Sequence, residues 1–352
     1  MDLGASKDHG LLRQLNLPQV AQRSPRLFRY ASYFRAHDDL GRRSVRAAAA
    51  TAAALLRESS IEPSDWRPRP RLIGGLSGRS GTTWLEQVLR YSLYPHAAVI
   101  GERHLFWKHE FIVGPERALA AAHAERLADE VQAFARFLVT DGFGPRINER
   151  GGITFGGLGR LLPRRVLLAL ANAFQSNLIS TADPWRVYGD FYTSLFSAWT
   201  RTAFGRELPW ISKEPSYGES ADRVFRLMPD ARLVVLVRDG RDIALSAVRA
   251  GWSADFAQAA DRWAQRARPA LAALQRAPEG AVLIVRFEQL CAQFFETMTG
   301  ICGFLELPVP AQFRPPPVTE RSSAWRQVLS AQQSRDFLHL HGDLVAALGY
   351  PE

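Results

Sequence analysis

Residues 77–83, Ser77-Gly78-Arg79-Ser80-Gly81-Thr82-Thr83, join a short apolar run, LIGG, to a helix-like segment, TTWLEQVLRYSL. Successive backbone N–H groups at such a strand-to-helix turn form a concavity for an anion, and the helix dipole reinforces it. Glycine lets the backbone approach a ligand closely. Ser80, Thr82 and Thr83 add hydroxyl donors, and Arg79 adds a fixed positive charge. A helix cap alone accounts for a serine or a threonine, but not for glycine, arginine and three hydroxyls within five residues. A second junction of this kind is VVLVRDGRDIALS. Arg238 is the first residue past the apolar run, and Ser246 follows eight residues later, two turns into a helix. A guanidinium offers a bidentate clamp for a phosphate-like group and a serine adds a hydroxyl donor. The plainer alternative is that Arg238 and Asp239 form surface ion pairs and Ser246 is incidental. The first loop is not the Gly-x4-Gly-Lys-Ser/Thr phosphate loop, because Thr82 follows Gly81 and no lysine is present. The second strand ends in Arg238-Asp239-Gly240-Arg241 rather than in a lone metal-binding acid. A magnesium-dependent NTPase is therefore disfavoured, and no metal site is expected.

Lys213 stands in PWISKEPSY, at the end of a short apolar run. Of 44 basic residues only Lys7, Lys108 and Lys213 are lysines. Lysine is a compact point donor whose proton can be shared, whereas guanidinium stays charged and planar. Either Lys213 has a chemical task or it is one of three scattered lysines. Glu102 lies in VIGERHLFWKHE. Leu105, Phe106 and Trp107 would desolvate its carboxylate and raise its pKa, as a general base requires. The alternatives are a surface glutamate paired with Arg103, and His104 as the base.

These residues need rigid elements behind them. RLVVLV and AVLIV are continuous apolar runs, as strands buried on both faces of a parallel sheet should be. Strands are expected at 72–75, 209–212, 232–237 and 281–286. Helices are expected after the first loop and at 116–139, 161–175, 185–203, 219–228, 240–250, 254–275, 287–305 and 324–347. Alternation of the two predicts an α/β fold, a P-loop-like doubly wound parallel sheet flanked by helices. Ligands of such sheets sit at the carboxyl ends of strands, where the motifs fall. Residues 1–70 read as a basic helical N-terminal extension, with twelve basic residues against seven acidic ones, +5 of the total +9. RSVRAAAATAAALLRE should form an alanine-rich helix there. Residues 71–352 then form one domain, with a helical insertion at about 141–208. Apolar residues at 47% exclude wholesale disorder. Cys291 and Cys302 are too few for a disulfide framework or a zinc site. No run reaches the roughly 18 apolar residues of a membrane span, and the N-terminus lacks a signal-peptide pattern. Arginine and alanine enrichment suggests a bacterial, cytoplasmic protein. The positive charge fits an anionic partner; without an RNA-binding or helix-turn-helix signal, a nucleic-acid binder is the remote alternative.

RSGTTW after a strand resembles the 5′-phosphosulfate loop of the sulfotransferase superfamily, and Arg238 with Ser246 in LVRDGRDIALS resembles its second motif. The resemblance spans about residues 71–350 and leaves 1–70 and 141–208 without a counterpart. It implies the donor 3′-phosphoadenosine 5′-phosphosulfate (PAPS) and sulfuryl transfer to an acceptor hydroxyl, with a P-loop-type kinase as the alternative. Residues 80–83 (Ser80, Gly81, Thr82, Thr83) would hold the 5′-phosphate, and Arg238 and Ser246 the 3′-phosphate. Arg79 would face the bridging and sulfonate oxygens. Trp84 would stack on adenine or serve only as helix core. SKEPSY resembles the segment whose lysine contacts the donor, which gives Lys213 a catalytic role. The surroundings of Glu102 resemble the base segment of the carbohydrate and tyrosylprotein branches rather than the small-phenol branch. The acceptor stays open among a carbohydrate, a glycolipid, a tyrosyl group and a small alcohol, with 103–210 as its pocket. Arg321, Ser322 and Arg326 beside Trp325 match the family's basic loop only loosely.

Overall fold

The computed structural model describes residues 69–94, 96–100, 145–147, 153–155, 181–313 and 323–351, with scattered positions between 166 and 177. The N-terminal extension, Glu102, His104, the helix expected at 116–139, and Arg321 with Ser322 lie outside the described residues.

The described residues fall into two units. The larger carries β1 (Arg71–Gly75), α1 (Thr82–Leu93) and β2 (Ala98–Ile100). The smaller contains an antiparallel pair, β3 (Pro145–Ile147) and β4 (Ile153–Phe155), and the long helix α2 (Pro184–Phe204). Asp183 caps α2 by accepting from the Arg186 N–H at 3.4 Å, Pro184 fixes its first turn, and Gly205 ends it in a left-handed conformation. Tyr188, Phe191 and Phe196 are buried along one face, with Phe174 packed edge-on against Tyr188 at 4.9 Å.

The larger unit continues with β5 (Trp210–Lys213), the short helices α3 (Ser216–Glu219) and α4 (Ala221–Leu227), and β6 (Arg232–Val237). Next come α5 (Gly240–Arg249), α6 (Phe256–Gln275), β7 (Val282–Arg286), α7 (Phe287–Ala292) and α8 (Phe294–Phe304). It closes with α9 (Trp325–Val328) and α10 (Ala331–Ala347). The five strands of this unit pair in parallel in the order β2-β5-β1-β6-β7. The chain leaves β1 toward one edge and β6 toward the other, so the strand order reverses between them, where α/β sheets open a crevice for ligands. This is the doubly wound architecture expected from the sequence.

β1 is buried throughout and β6 nearly so. On one face Leu85, Val88, Leu89 and Leu93 of α1 pack with Ile73, Ile211, Val234 and Leu236 of the sheet and Met298 and Ile301 of α8. Each such buried side chain contributes about 1.5–3 kcal/mol. β7 departs from the expectation of two covered faces: it is the edge strand, and Ile284 is 47% exposed. Two expected helices are each split in two, at Gln293 and at Leu329-Ser330. At the second break Ser330 and Gln333 form a reciprocal capping box that starts α10 afresh. β2 and the β3–β4 pair went unread in the sequence, being three residues each. Among the described residues no helix is long and apolar enough to cross a membrane.

Candidate active site

β1 and β6 are hydrogen-bonded neighbours with Gly75 opposite Leu236, so the loops leaving their carboxyl ends open side by side. The first loop is closed internally: Ser80, fully buried, donates its hydroxyl to the Ser77 carbonyl at 3.0 Å. Gly81 is the N-cap of α1 at φ 97°. A Cβ there would lie 2.4 Å from the Phe287 ring, so both conformation and space demand glycine. Having no side chain, Gly81 brings no capping acceptor to the first amides of α1. The plain capping explanation of the Ser/Thr-rich loop therefore does not hold at this position.

Arg79 adopts φ 69°, a left-handed conformation that costs a non-glycine residue about 1–3 kcal/mol and tends to mark functional loops. Its Nε donates to Ser246 Oγ at 3.0 Å, and its guanidinium lies 5.2 Å from the centre of the Trp252 ring. Arg238 is 3% exposed, with its guanidinium 5.0 Å from the Phe287 ring centre and 3.9 Å from Asp242 Oδ2. Arg79, Arg238, Asp242, Ser246, Arg249 and Gln327 line one cavity of about 370 Å³. Burial raises the Asp242 carboxyl above its ordinary range, while the amides of Trp325 and Ser323 and the Arg238 charge pull the other way. Among the described residues that line it, three guanidiniums stand against one such carboxylate, a net positive charge suited to an anion carrying more than one charge.

The neighbouring charges have other duties. Asp239 caps α5 by accepting from the Arg241 amide at 2.9 Å, and both its oxygens take the Arg241 guanidinium. Arg241 also donates to the Pro351 carbonyl and stacks on Trp325 at 3.7 Å. The ion pairs around Arg238 and Asp239 are thus buried, and Asp239 is matched to Arg241. Asp242 accepts from the amides of Ser323 at 2.7 Å and Trp325 at 3.0 Å, which fastens the start of α9 to this strand end.

β5 flanks β1 on its other side, with Lys213 opposite Ile73. The Lys213 side chain is 1% exposed, and its ammonium donates to Thr83 Oγ1 at 3.2 Å. The structure therefore brings Arg79, Arg238 and Ser246 together on one side of the first loop and Lys213 to Thr83 on the other. Trp84 is half-buried, edge-on to Phe287 at 6.3 Å and to Phe294 at 5.6 Å. Glu102 and His104 fall outside the described residues. Sequence reasoning passed over Asp242, Trp252 and Glu86, which lies 3.6 Å from Lys213. The signal for the two acids was spacing: Glu86 follows Thr83 by three residues on α1, and Asp242, in the first turn of α5, follows Arg238 by four. Trp252 had no comparable signal. Among the described residues no cluster of His, Cys, Asp and Glu is arranged to hold a metal ion.

A family model described as "Sulfotransferase family" matches residues 70–311. No curated protein sequence matches the chain. Among solved structures, sulfotransferase STF9 from Mycobacterium avium is 14% identical, covering 100% of this chain and 99% of its own, with TM-score 0.47. Sulfotransferase STF1 from Mycobacterium tuberculosis H37Rv is 18% identical, covering 94% and 93%, with TM-score 0.44. The sulfotransferase domain of the Synechococcus PCC 7002 olefin synthase is 19% identical, covering 81% and 97%, with TM-score 0.40.

Proposed function

The chain belongs to the sulfotransferase family, and we propose that it transfers a sulfuryl group from PAPS to a hydroxyl of an acceptor. The observation that carries this reading is the meeting of Arg79, Arg238 and Ser246 on one net cationic cavity beside the 77–83 loop. Arg238 clamps the 3′-phosphate, with Ser246 as hydroxyl donor. The 5′-phosphate lies on the backbone of the loop, with Ser80, Gly81, Thr82 and Thr83 around it. Trp84, braced by Phe287 and Phe294, meets the adenine.

PAPS supplies the sulfuryl group: its bond to the bridging oxygen breaks as the acceptor oxygen bonds to sulfur, leaving 3′-phosphoadenosine 5′-phosphate. Such a loose, in-line transfer needs little beyond positioning and charge stabilisation. Lys213 and Arg79 neutralise the charge growing on the bridging oxygen from opposite sides of the loop. Glu102 takes the acceptor proton, with His104 as the other candidate for that task. The acceptor is a carbohydrate, glycolipid, tyrosyl group or small alcohol. It is met by the insertion at 141–208 within a catalytic domain of 71–352, with 1–70 as an appended extension. The cytoplasm of a bacterium is the proposed setting.

Calorimetry with 3′-phosphoadenosine 5′-phosphate in the absence of magnesium, followed by transfer from sulfur-radiolabelled PAPS to source-cell extract, tests the reading. Tight metal-free binding and a labelled product are expected. Binding of magnesium-ATP in place of 3′-phosphoadenosine 5′-phosphate would instead mark a kinase and overturn it.

A further inference from the structure

We infer that Glu86 is a positioning residue for Lys213, holding its ammonium against the phosphosulfate loop. The inference rests on the proposed role of Lys213 in stabilising the departing phosphate. Glu86 stands on α1, and it is buried although its neighbours on the inner face, Leu85 and Leu89, are core side chains. A buried carboxylate is retained only when it is paired. Its two oxygens are divided between two cations. Oε1 accepts from Arg90 Nη2, one helical turn on. Oε2 lies 3.6 Å from Lys213 Nζ, and the same ammonium donates to Thr83 Oγ1 at 3.2 Å.

Thr83, Lys213, Glu86 and Arg90 thus form a chain of contacts from the loop, across β5, to the half-exposed end of α1. Helix stability alone does not ask for it, since an exposed Glu–Arg pair one turn apart serves that end without burying a carboxylate. The need arises at Lys213. A lysine ammonium rides on a flexible four-carbon stem. Stabilising a developing charge requires donors already aimed when the charge appears. The Glu86 carboxylate, fixed by Arg90, supplies the counter-charge that sets where the ammonium rests. Glu86 touches neither donor nor acceptor and acts only through Lys213.

The test is a double-mutant cycle. Single-turnover consumption of sulfur-radiolabelled PAPS is followed with enzyme in excess and source-cell extract as the acceptor mixture. Calorimetry with 3′-phosphoadenosine 5′-phosphate and thermal melts accompany each variant. Glu86→Gln should slow turnover about tenfold to a hundredfold, the cost of misplacing a reacting group by about an ångström. Its affinity for 3′-phosphoadenosine 5′-phosphate should stay within about threefold, because that contact set is separate. In the Lys213→Ala background the same Glu86→Gln change should cost nothing further. Turnover at the wild-type rate in Glu86→Gln, or an equal loss with and without Lys213, overturns the inference while leaving the role of Lys213 intact. Wild-type turnover in Lys213→Ala overturns the role of Lys213 and this inference with it. If Glu86→Gln does not fold, Arg90→Met loosens the carboxylate from the exposed side. It should give a smaller loss, about threefold to tenfold, that again vanishes without Lys213.

Discussion

Arg238→Ala should weaken binding of 3′-phosphoadenosine 5′-phosphate by about 3 kcal/mol, roughly a hundredfold in Kd. Two hydrogen bonds from a guanidinium to a phosphate amount to about 3–6 kcal/mol, at about 1.5–3 kcal/mol for each charge-assisted bond. Two features of the cavity move that figure in opposite directions. Arg79 and Arg249 remain on its wall and recover part of the attraction. Asp242, 3.9 Å from the lost guanidinium, is left as a less compensated carboxylate facing the phosphate. The two remaining cations outnumber the one carboxylate, so the lower part of the range is expected. Calorimetry should compare this ligand with adenosine 5′-phosphate, which lacks the 3′-phosphate. For adenosine 5′-phosphate the substitution should change affinity less than about threefold, since the lost bonds have no partner there. Arg238→Lys should fall between, keeping the charge but losing the fork. An equal loss for both ligands would show that Arg238 supports the whole site rather than reading the 3′-phosphate. No loss for either would remove the second motif from the donor site.

Lys213→Ala should lower turnover about a hundredfold to a thousandfold, with little change in affinity for 3′-phosphoadenosine 5′-phosphate, as measured by single-turnover kinetics and calorimetry. Glu102→Gln should abolish most turnover while donor affinity stays at the wild-type level; unchanged turnover would leave His104 as the base. Gly218→Ala should destabilise the fold by about 1–3 kcal/mol in a denaturant titration. The new Cβ would lie 2.2 Å from the Gly75 carbonyl oxygen, where α3 crosses β1. Burial lowers His341 below its ordinary 6.5, with Asp261 partly offsetting it. The unfolded chain then binds more protons than the fold, so stability should be lost as pH falls from about 6.5 through the folded value. His341→Gln should flatten that fall in thermal melts recorded across the same range.

The motifs were legible because each is a local arrangement. A glycine at the cap of α1, an arginine just past a buried strand and a serine two turns on are fixed by the chain within a dozen residues. The continuous apolar run of β6 was equally plain, since burial on both faces removes every polar interruption. β2 was not, because three residues carry no periodicity. The 287–305 and 324–347 segments each read as one helix. Their apolar pattern runs on past the breaks, and a cap such as Ser330 competes with helix continuation only weakly.

By itself the sequence determined the two glycine- and arginine-bearing strand-to-helix turns, the parallel α/β class and the family resemblance, all properties of short stretches and of their order. Tertiary structure decided which of those stretches meet. Strand order sets β6 on one side of β1 and β5 on the other. That order, and no spacing along the chain, puts Arg79 against Ser246, 167 residues away, and Lys213 against Thr83, 130 residues away. It also decided which charges face the cavity and which are spent in the fold. Arg238 and Arg241 are three residues apart, yet one lines the cavity and the other is bound to Asp239, Pro351 and Trp325. Burial depends on what packs against a position from distant parts of the chain, and local sequence does not carry that information.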